Sequence, residues 1–208
     1  MVRPNVTVAG GLAPTRVAFD NGITRLRAAG VSIQPFTIAG AESILDTYTN
    51  IALSEAALWH AHTLETRSAD YQPRVRERLE AGRGITAVSY LRARDARRVF
   101  TQQIDAALDG RHALVLPTLP IVAPPLGAAE VTIDGTTLTV RAAMLRLTQL
   151  FNLTGHPAIS LPIAAAGLPV GLQLVGHRDR TADLVTVATA CERVLGRGRN
   201  LGFTTPET

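Results

Sequence analysis

The 208-residue chain contains no lysine; all 21 of its basic residues are arginine. No lysine amine is therefore present to act as a general base, and the positive charge sits on guanidinium groups that stay protonated. Cysteine is almost absent as well. The single Cys191 cannot close an internal disulfide, and no activating histidine or motif adjoins it, so its thiol is expected to pack. Aromatic residues make up only 4% and the formal net charge is a modest +4. The densest arginine groups, Arg74, Arg76, Arg78 and Arg92, Arg94, Arg97, Arg98, are interrupted by Glu77, Glu80 and Asp95. Such groups suit solvated helix faces and give no nucleic-acid surface. No apolar run approaches the roughly 20 residues that a membrane span needs. The stretch from Met1 to Val8 lacks the apolar core of a signal peptide. Neither nucleic acid nor membrane is expected as a partner, and the cytoplasm is the expected compartment.

What is present is an ordinary globular composition, 46% hydrophobic and 18% charged, enough for a sizeable core. Val6 to Ala9 reads as a short first strand. A helix from about Pro14 to Ala28 and an alternating strand from Val31 to Phe36 follow, a βαβ-like beginning. From Glu42 to about Thr66 the pattern is helical, with Ile44, Tyr48, Ile51, Ala52 and Trp59 at three- and four-residue steps. A long helix is expected from Ala87 to Leu108, with Phe100, Ile104 and Leu108 on its apolar stripe. Ala113 to Pro117 reads as a buried strand, and Val131 to Val140 as a hairpin turning at Asp134-Gly135. A helix from about Arg141 to Leu150 leads to Asn152, and another covers Asp183 to Leu195, with Thr181 as N-cap and Gly196 as stop.

The most informative stretch lies between these last two helices. Ala158-Ile159-Ser160-Leu161, between Pro157 and Pro162, and Val170 to Val175, between Pro169 and Gly176, are short apolar runs closed by Gly and Pro. They suit strands covered on both faces, with the two prolines marking strand ends. The fold class expected is α/β, a mixed sheet flanked by helices.

Asn152-x-Thr154-Gly155-x-Pro157-Ala158-x-Ser160-x-Pro162, followed by Gly167-Leu168-Pro169-Val170-Gly171-Leu172-Gln173-Leu174-Val175-Gly176, resembles the C-terminal part of the amidase signature family. The Pro117-Thr118-x-Pro120 pattern with Ala123-Pro124, and Tyr90-Leu91-x-Ala93-x-x-x-Arg97, resemble the same family in the order its members show. One departure is His112, which stands where the family often has an Asp. The resemblance implies hydrolysis of linear amides and a partial amidase-signature fold. Residues 1–203 would then be the C-terminal portion of an amidase-type domain, and 204–208 a frayed tail.

A serine hydroxyl needs a neighbouring base before it can attack an amide. The family resemblance implies a Ser-Ser-Lys set and a glycine- and serine-rich loop whose backbone N–H groups hold the oxyanion. Neither that loop nor any lysine occurs in these 208 residues, so no catalytic residue is assigned. His156 is the nearest base in sequence to Ser160, but Ser160 reads as a core serine bonded to backbone. The resemblance instead implies substrate-pocket residues: Thr118, Asn152, Gly155 and His156, with Leu145 and Leu150 lining an apolar acyl site. Asn152 and Gly155 are equally read as mere turn builders.

No metal site is expected. His60 and His62 point about 200° apart on a helix and have no acidic or thiol co-ligand. No cofactor is expected either, because Gly196-x-Gly198 and Gly202 do not form a dinucleotide fingerprint. The expected function is the back part of an amide hydrolase, recovered by truncation, gene splitting or a partial reading frame. A small-molecule amide would bind only once the catalytic half completes the site. The alternative is a non-catalytic binding module, or a split-enzyme subunit needing a partner chain or self-association.

Overall fold

A computed structural model describes residues 2–4 at backbone level, and 12–165 and 167–196 in full. The strand expected at Val6–Ala9, the glycines at 198 and 202, and the 204–208 tail lie outside the described residues. In chain order the elements begin with β1 (Val2–Pro4), α1 (Ala13–Ala28) and β2 (Gln34–Phe36). Four helices follow: α2 (Ile44–Trp59), α3 (Ala61–Thr66), α4 (Pro73–Arg83) and α5 (Ala87–Leu108). Next come β3 (Leu114–Pro117), the hairpin β4 (Glu130–Ile133) and β5 (Thr136–Thr139), α6 (Val140–Leu145) and α7 (Gln149–Thr154). The chain closes with β6 (Ala158–Ile163), β7 (Val170–Val175) and α8 (Thr181–Leu195). Two compact units result, one of residues 1–39 with 104–208, the other of residues 40–103.

The first unit is built on a five-stranded sheet in the order β2-β1-β3-β7-β6. β1 runs parallel to β2 and β3, whereas β7 is antiparallel to both β3 and β6. The sheet is therefore mixed and flanked by helices, as expected. α1 buries Thr15, Ala18, Phe19, Gly22, Ile23 and Leu26, a stripe at the helical period. α8 buries Leu184, Ala188, Cys191 and Leu195. These stripes meet Val115, Leu161, Ile163, Val170, Leu172 and Leu174 of the sheet in one apolar core. Arg25 donates from Nη2 to the Val194 carbonyl at 2.8 Å, satisfying one of the acceptors a helix end leaves open. Gly196, in the left-handed region at φ 71°, stops α8 as expected. Its start differs: Arg180 is the N-cap residue and no side chain caps the helix, so Thr181 is the first helical residue.

Three local readings are corrected by the geometry. β6 continues through Pro162 to Ile163, where a proline is tolerated because β6 is the edge of the described sheet and, among the described residues, pairs only with β7. Nor is β6 covered on both faces: Leu161 and Ile163 are buried while Ala158, Ser160 and Pro162 are exposed. The helix expected at 141–150 is two short ones. Thr148 donates both its N–H and its hydroxyl to the Leu145 carbonyl, at 3.1 and 3.3 Å, and such local bonds compete with helix continuation. Asn152 consequently lies within α7 rather than in a turn, and Gly155 alone makes the turn, at φ 76°.

The hairpin turns where its sequence dictates. Asp134 and Gly135 both take positive φ, 45° and 78°, as a type I′ turn requires. Thr139 caps α6 by accepting the Ala142 N–H at 3.2 Å.

In the second unit, α2 and α4 pack closely at Gly82, where a β-carbon would stand 2.2 Å from the Leu53 carbonyl oxygen. Ile51, Ala57, Leu64 and Leu79 are buried. Tyr90 donates to Glu55 at 2.9 Å, and His60 Nδ1 pairs with the Tyr71 hydroxyl at 2.9 Å, a structural role for that imidazole. Trp59, read as part of the α2 stripe, is instead 86% exposed. No described helix is long and apolar enough to cross a membrane.

Candidate functional site

β3 ends at Pro117, and the chain leaves the sheet through Thr118 into a proline-rich loop. The Thr118 N–H donates to the Gly171 carbonyl at 2.9 Å, holding the start of this loop against β7. Across β7 lies β6, paired so that Ser160 faces Gln173 and Pro162 faces Gly171. Gly171 therefore separates Thr118 from Ser160, and their hydroxyl oxygens meet 2.6 Å apart. The close approach depends on the glycine: a β-carbon there would lie 2.5 Å from both oxygens.

This hydroxyl pair sits in a cleft of about 320 Å³ whose other walls are apolar: Leu119, Ile121, Val122, Ala123 and Pro124 of the loop, Met144 of α6, and Pro169 and Val170 ahead of and within β7. Ile121 also packs with Ile133 and Ala143 in a small core of its own, which ties the loop to the hairpin and α6. Among the described residues, no side chain lining the cleft is ionisable. Two hydroxyls can share a proton between them, but neither is basic enough to make the other a nucleophile at neutral pH.

The residues singled out from sequence separate into groups. Thr118 lines the cleft. Leu145 is half-buried beside Met144, and Leu150 is buried; neither side chain reaches the cleft lining. Asn152 and Gly155 are exposed at the end of α7. His156 is buried, with its side chain fully covered. Its Nδ1 meets Thr154 Oγ1 at 2.9 Å and its Nε2 meets Asp105 Oδ1 at 3.2 Å. Asp105, near the end of α5, is gripped in turn by Arg178, which donates from Nε and Nη2 at 3.3 and 2.8 Å. Because the Asp105 carboxylate can only accept, Nε2 carries the proton and Nδ1 accepts from the Thr154 hydroxyl. Burial pushes the His156 pKa below its ordinary 6.5, and the Asp105 hydrogen bond and charge oppose that shift. Both ring nitrogens are thus engaged away from Ser160, and no Ser–His pair forms. Ser160 is likewise no core serine: it is exposed and bonded to a side chain.

Sequence reasoning missed Gly171, Met144 and the Asp105–Arg178 pair as site-forming residues. Gly171 carried a signal, since a glycine within a β-strand often marks a close approach. Asp105 carried none, lying 51 residues from its histidine. A second cavity of about 510 Å³ lies between the end of α1 and α8 and is lined mainly by Leu26, Ala29, Val31, Val187, Cys191 and Val194. Although larger and mostly apolar, it also has Ser32 and His112 in its lining; burial raises the Cys191 pKa, which leaves the thiol inert.

The Amidase family model matches residues 7–185, and the chain belongs to that family. Among its relatives is the putative amidase AmiD of Mycobacterium tuberculosis (strain ATCC 25618 / H37Rv), 33% identical over 147 residues, which are 70% of this chain and 30% of AmiD. The 1-carboxybiuret hydrolase subunit AtzE of Pseudomonas sp. (strain ADP) is 28% identical, with 84% of this chain and 42% of that protein covered. A crystal structure of an amidase superposes with a TM-score of 0.87 at 32% identity, over 94% of this chain and 45% of that one. The chain spans less than half the length of each.

Proposed function

We propose that residues 1–203 form the C-terminal portion of an amidase-type hydrolase of linear carbon–nitrogen amide bonds. In this reading they supply walls of the substrate pocket, and the Ser-Ser-Lys residues reside on polypeptide outside these 208 residues. One observation carries the proposal: the cleft holds a hydroxyl pair and, among the described residues, no basic side chain. Family membership and the partial span of the relatives support it. Thr118 touches the substrate directly. Leu145 stands beside Met144 of the α6 wall, Leu150 and Asn152 belong to α7, and Gly155 makes the turn that leads through His156 to Ser160 on β6.

The test is an amide-hydrolysis assay on the purified chain, alone and after addition of a separately expressed amidase front half carrying the glycine- and serine-rich loop and lysine. Ammonia release only in the mixture is expected. Turnover by the solitary chain, lost in Ser160→Ala, would overturn the reading.

The alternative, a split-enzyme subunit or binding module that works through a partner chain, is favoured by the exposed outer side of β6 and by a relative, AtzE, that is itself a subunit. Sedimentation velocity separates the two. A tight heteromeric species with the front half supports the subunit reading, and a monomer indifferent to it argues against that reading.

A further inference from the structure

The second cavity, of about 510 Å³, lies at the other end of β3 from the cleft, since His112 precedes that strand and Thr118 follows it. On α8, Val187, Ala190, Cys191 and Val194 line it. Steps of three, four and seven residues put these on one stripe, which is about 10 Å long at about 1.5 Å per residue. Leu26 of α1, with Ala29 and Val31 just past its end, forms the opposing wall. Arg25 ties the two helices together at the Val194 end. The result is an apolar trough, within the volume range of small-molecule sites.

The other end is polar and basic. Ser32 and His112 line the cavity there. The His177 imidazole donates from Nε2 to the Arg111 carbonyl at 2.8 Å, which sets residues 111 and 112 beside the start of α8. Two guanidinium groups converge on the same segment. Arg27 donates from Nη2 to the Ile33 carbonyl at 3.2 Å. Arg111 donates from Nη2 to Gln34 Oε1 at 3.2 Å and from Nη1 to the Asp109 carbonyl at 3.3 Å. Each of these acceptors is a neutral oxygen, so the bonds hold both groups in place without cancelling their charge. The carbonyls of Arg25, Leu26 and Arg27, which the end of α1 would otherwise turn toward a ligand, are taken by the N–H groups of Ala29, Val31 and Gly30. Such an end attracts an anion, and guanidinium donors match the geometry of a carboxylate.

We infer that this trough binds a small, freely dissolved amphiphilic carboxylate. Its aliphatic chain lies along the α8 stripe, and its head group is held by Arg27, Arg111 and His112. Binding here requires nothing from the Thr118 cleft, so it stands or falls apart from the amidase reading.

Two probes with the same chain and opposite head groups test this on the 208-residue protein. Octanoate and octylammonium are titrated, below the concentrations at which they self-associate, into ¹⁵N-labelled protein and followed by amide chemical shifts. Saturable octanoate binding is expected, with shifts at Val31, Ser32, Val187, Cys191 and Val194, and octylammonium should bind at least about tenfold more weakly. Arg27→Gln and Arg111→Gln should each weaken octanoate about fivefold, as the loss of one hydrogen bond to a charged partner would. Ala190→Trp, at an exposed position of the trough, should fill it and abolish octanoate binding. The spectrum of each variant reports its folding, so a collapsed Arg111→Gln leaves Arg27→Gln and Ala190→Trp to decide. No saturable octanoate binding, equal binding of the two probes, unchanged affinity in a folded variant, or shifts confined to the Thr118 cleft would overturn the inference. Ammonia release by the mixture with the front half is a separate readout, so failure of octanoate binding and failure of amide hydrolysis are told apart.

Discussion

Replacing Asp105 by alanine isolates what the buried His156 requires of its surroundings. In the native protein Nε2–H donates to Asp105 Oδ1 at 3.2 Å and the imidazole is fully covered. Alanine removes the acceptor and leaves a buried N–H without a partner, at a cost of about 1–3 kcal/mol. Loss of the Arg178–Asp105 pair adds little: both side chains are nearly half exposed, 47% and 43%, and such pairs contribute about 0–1 kcal/mol. The higher helix propensity of alanine returns roughly 0.5 kcal/mol. The net expectation is a loss of about 2 kcal/mol. Water reaching the vacated space would place it toward the lower end. Asp105→Asn is the matched control, because its amide oxygen still accepts from Nε2–H and only the charge facing Arg178 is lost, so less than about 1 kcal/mol should disappear. Urea unfolding at pH 7.5 measures both, as a lowered midpoint with unchanged slope. Equal losses in the two variants, or an alanine loss under about 0.5 kcal/mol, would refute the reasoning that the imidazole depends on this acceptor.

Two further outcomes follow from particular contacts. His156 has a folded-state pKa below its ordinary 6.5, so the unfolded chain takes up a proton that the folded chain resists. Stability is fully present above about pH 6.5 and is lost as pH falls from there toward the folded value. Urea titrations at pH 7.5 and 5.5 should show a smaller decline in His156→Asn than in the wild type, and an identical decline would contradict this. Gly82→Ala in α4 should destabilise by up to about 2 kcal/mol. The added β-carbon would stand 2.2 Å from the Leu53 carbonyl oxygen, and the cost of forcing α2 and α4 apart, about 1–3 kcal/mol, exceeds the gain in helix propensity of about 1 kcal/mol. Gly84→Ala, whose nearest neighbour is at 3.5 Å, should change the urea midpoint little. A stabilised Gly82→Ala would mean that propensity alone decides.

Local chemistry made much of this fold readable. The α1 helix, the α8 stripe, the α5 span and the Asp134-Gly135 turn follow from periodicity and turn geometry, although Val17, expected on the apolar face of α1, is exposed; β3 and β7 follow from short apolar runs closed by proline and glycine. Other features depend on information a local pattern does not hold. Whether Pro162 ends a strand or rides within one depends on β6 being the edge, which is a property of strand order. Asn152 falls inside a helix because Thr148 restarts the backbone pattern four residues earlier. The exposure of Trp59 inverts a helical reading that periodicity alone favoured. At the site, the Pro-Thr and Asn-to-Pro motifs pointed to Thr118 and to the turn before β6, yet the hydroxyl pair arises from strand register. Only that register brings Ser160 across Gly171 to Thr118. Likewise, the bond that engages His156 Nε2 comes from Asp105, on a helix 51 residues away.

On the proposed function, this chain shapes a pocket wall and holds no serine that it can activate itself. Labelling with a fluorescent fluorophosphonate reads that directly. The purified chain and its mixture with an amidase front half are treated in parallel and resolved by gel and peptide mass. Label is expected on the front-half polypeptide alone, with the 208-residue chain unmodified in both samples. Covalent label on Ser160 of the solitary chain would contradict it.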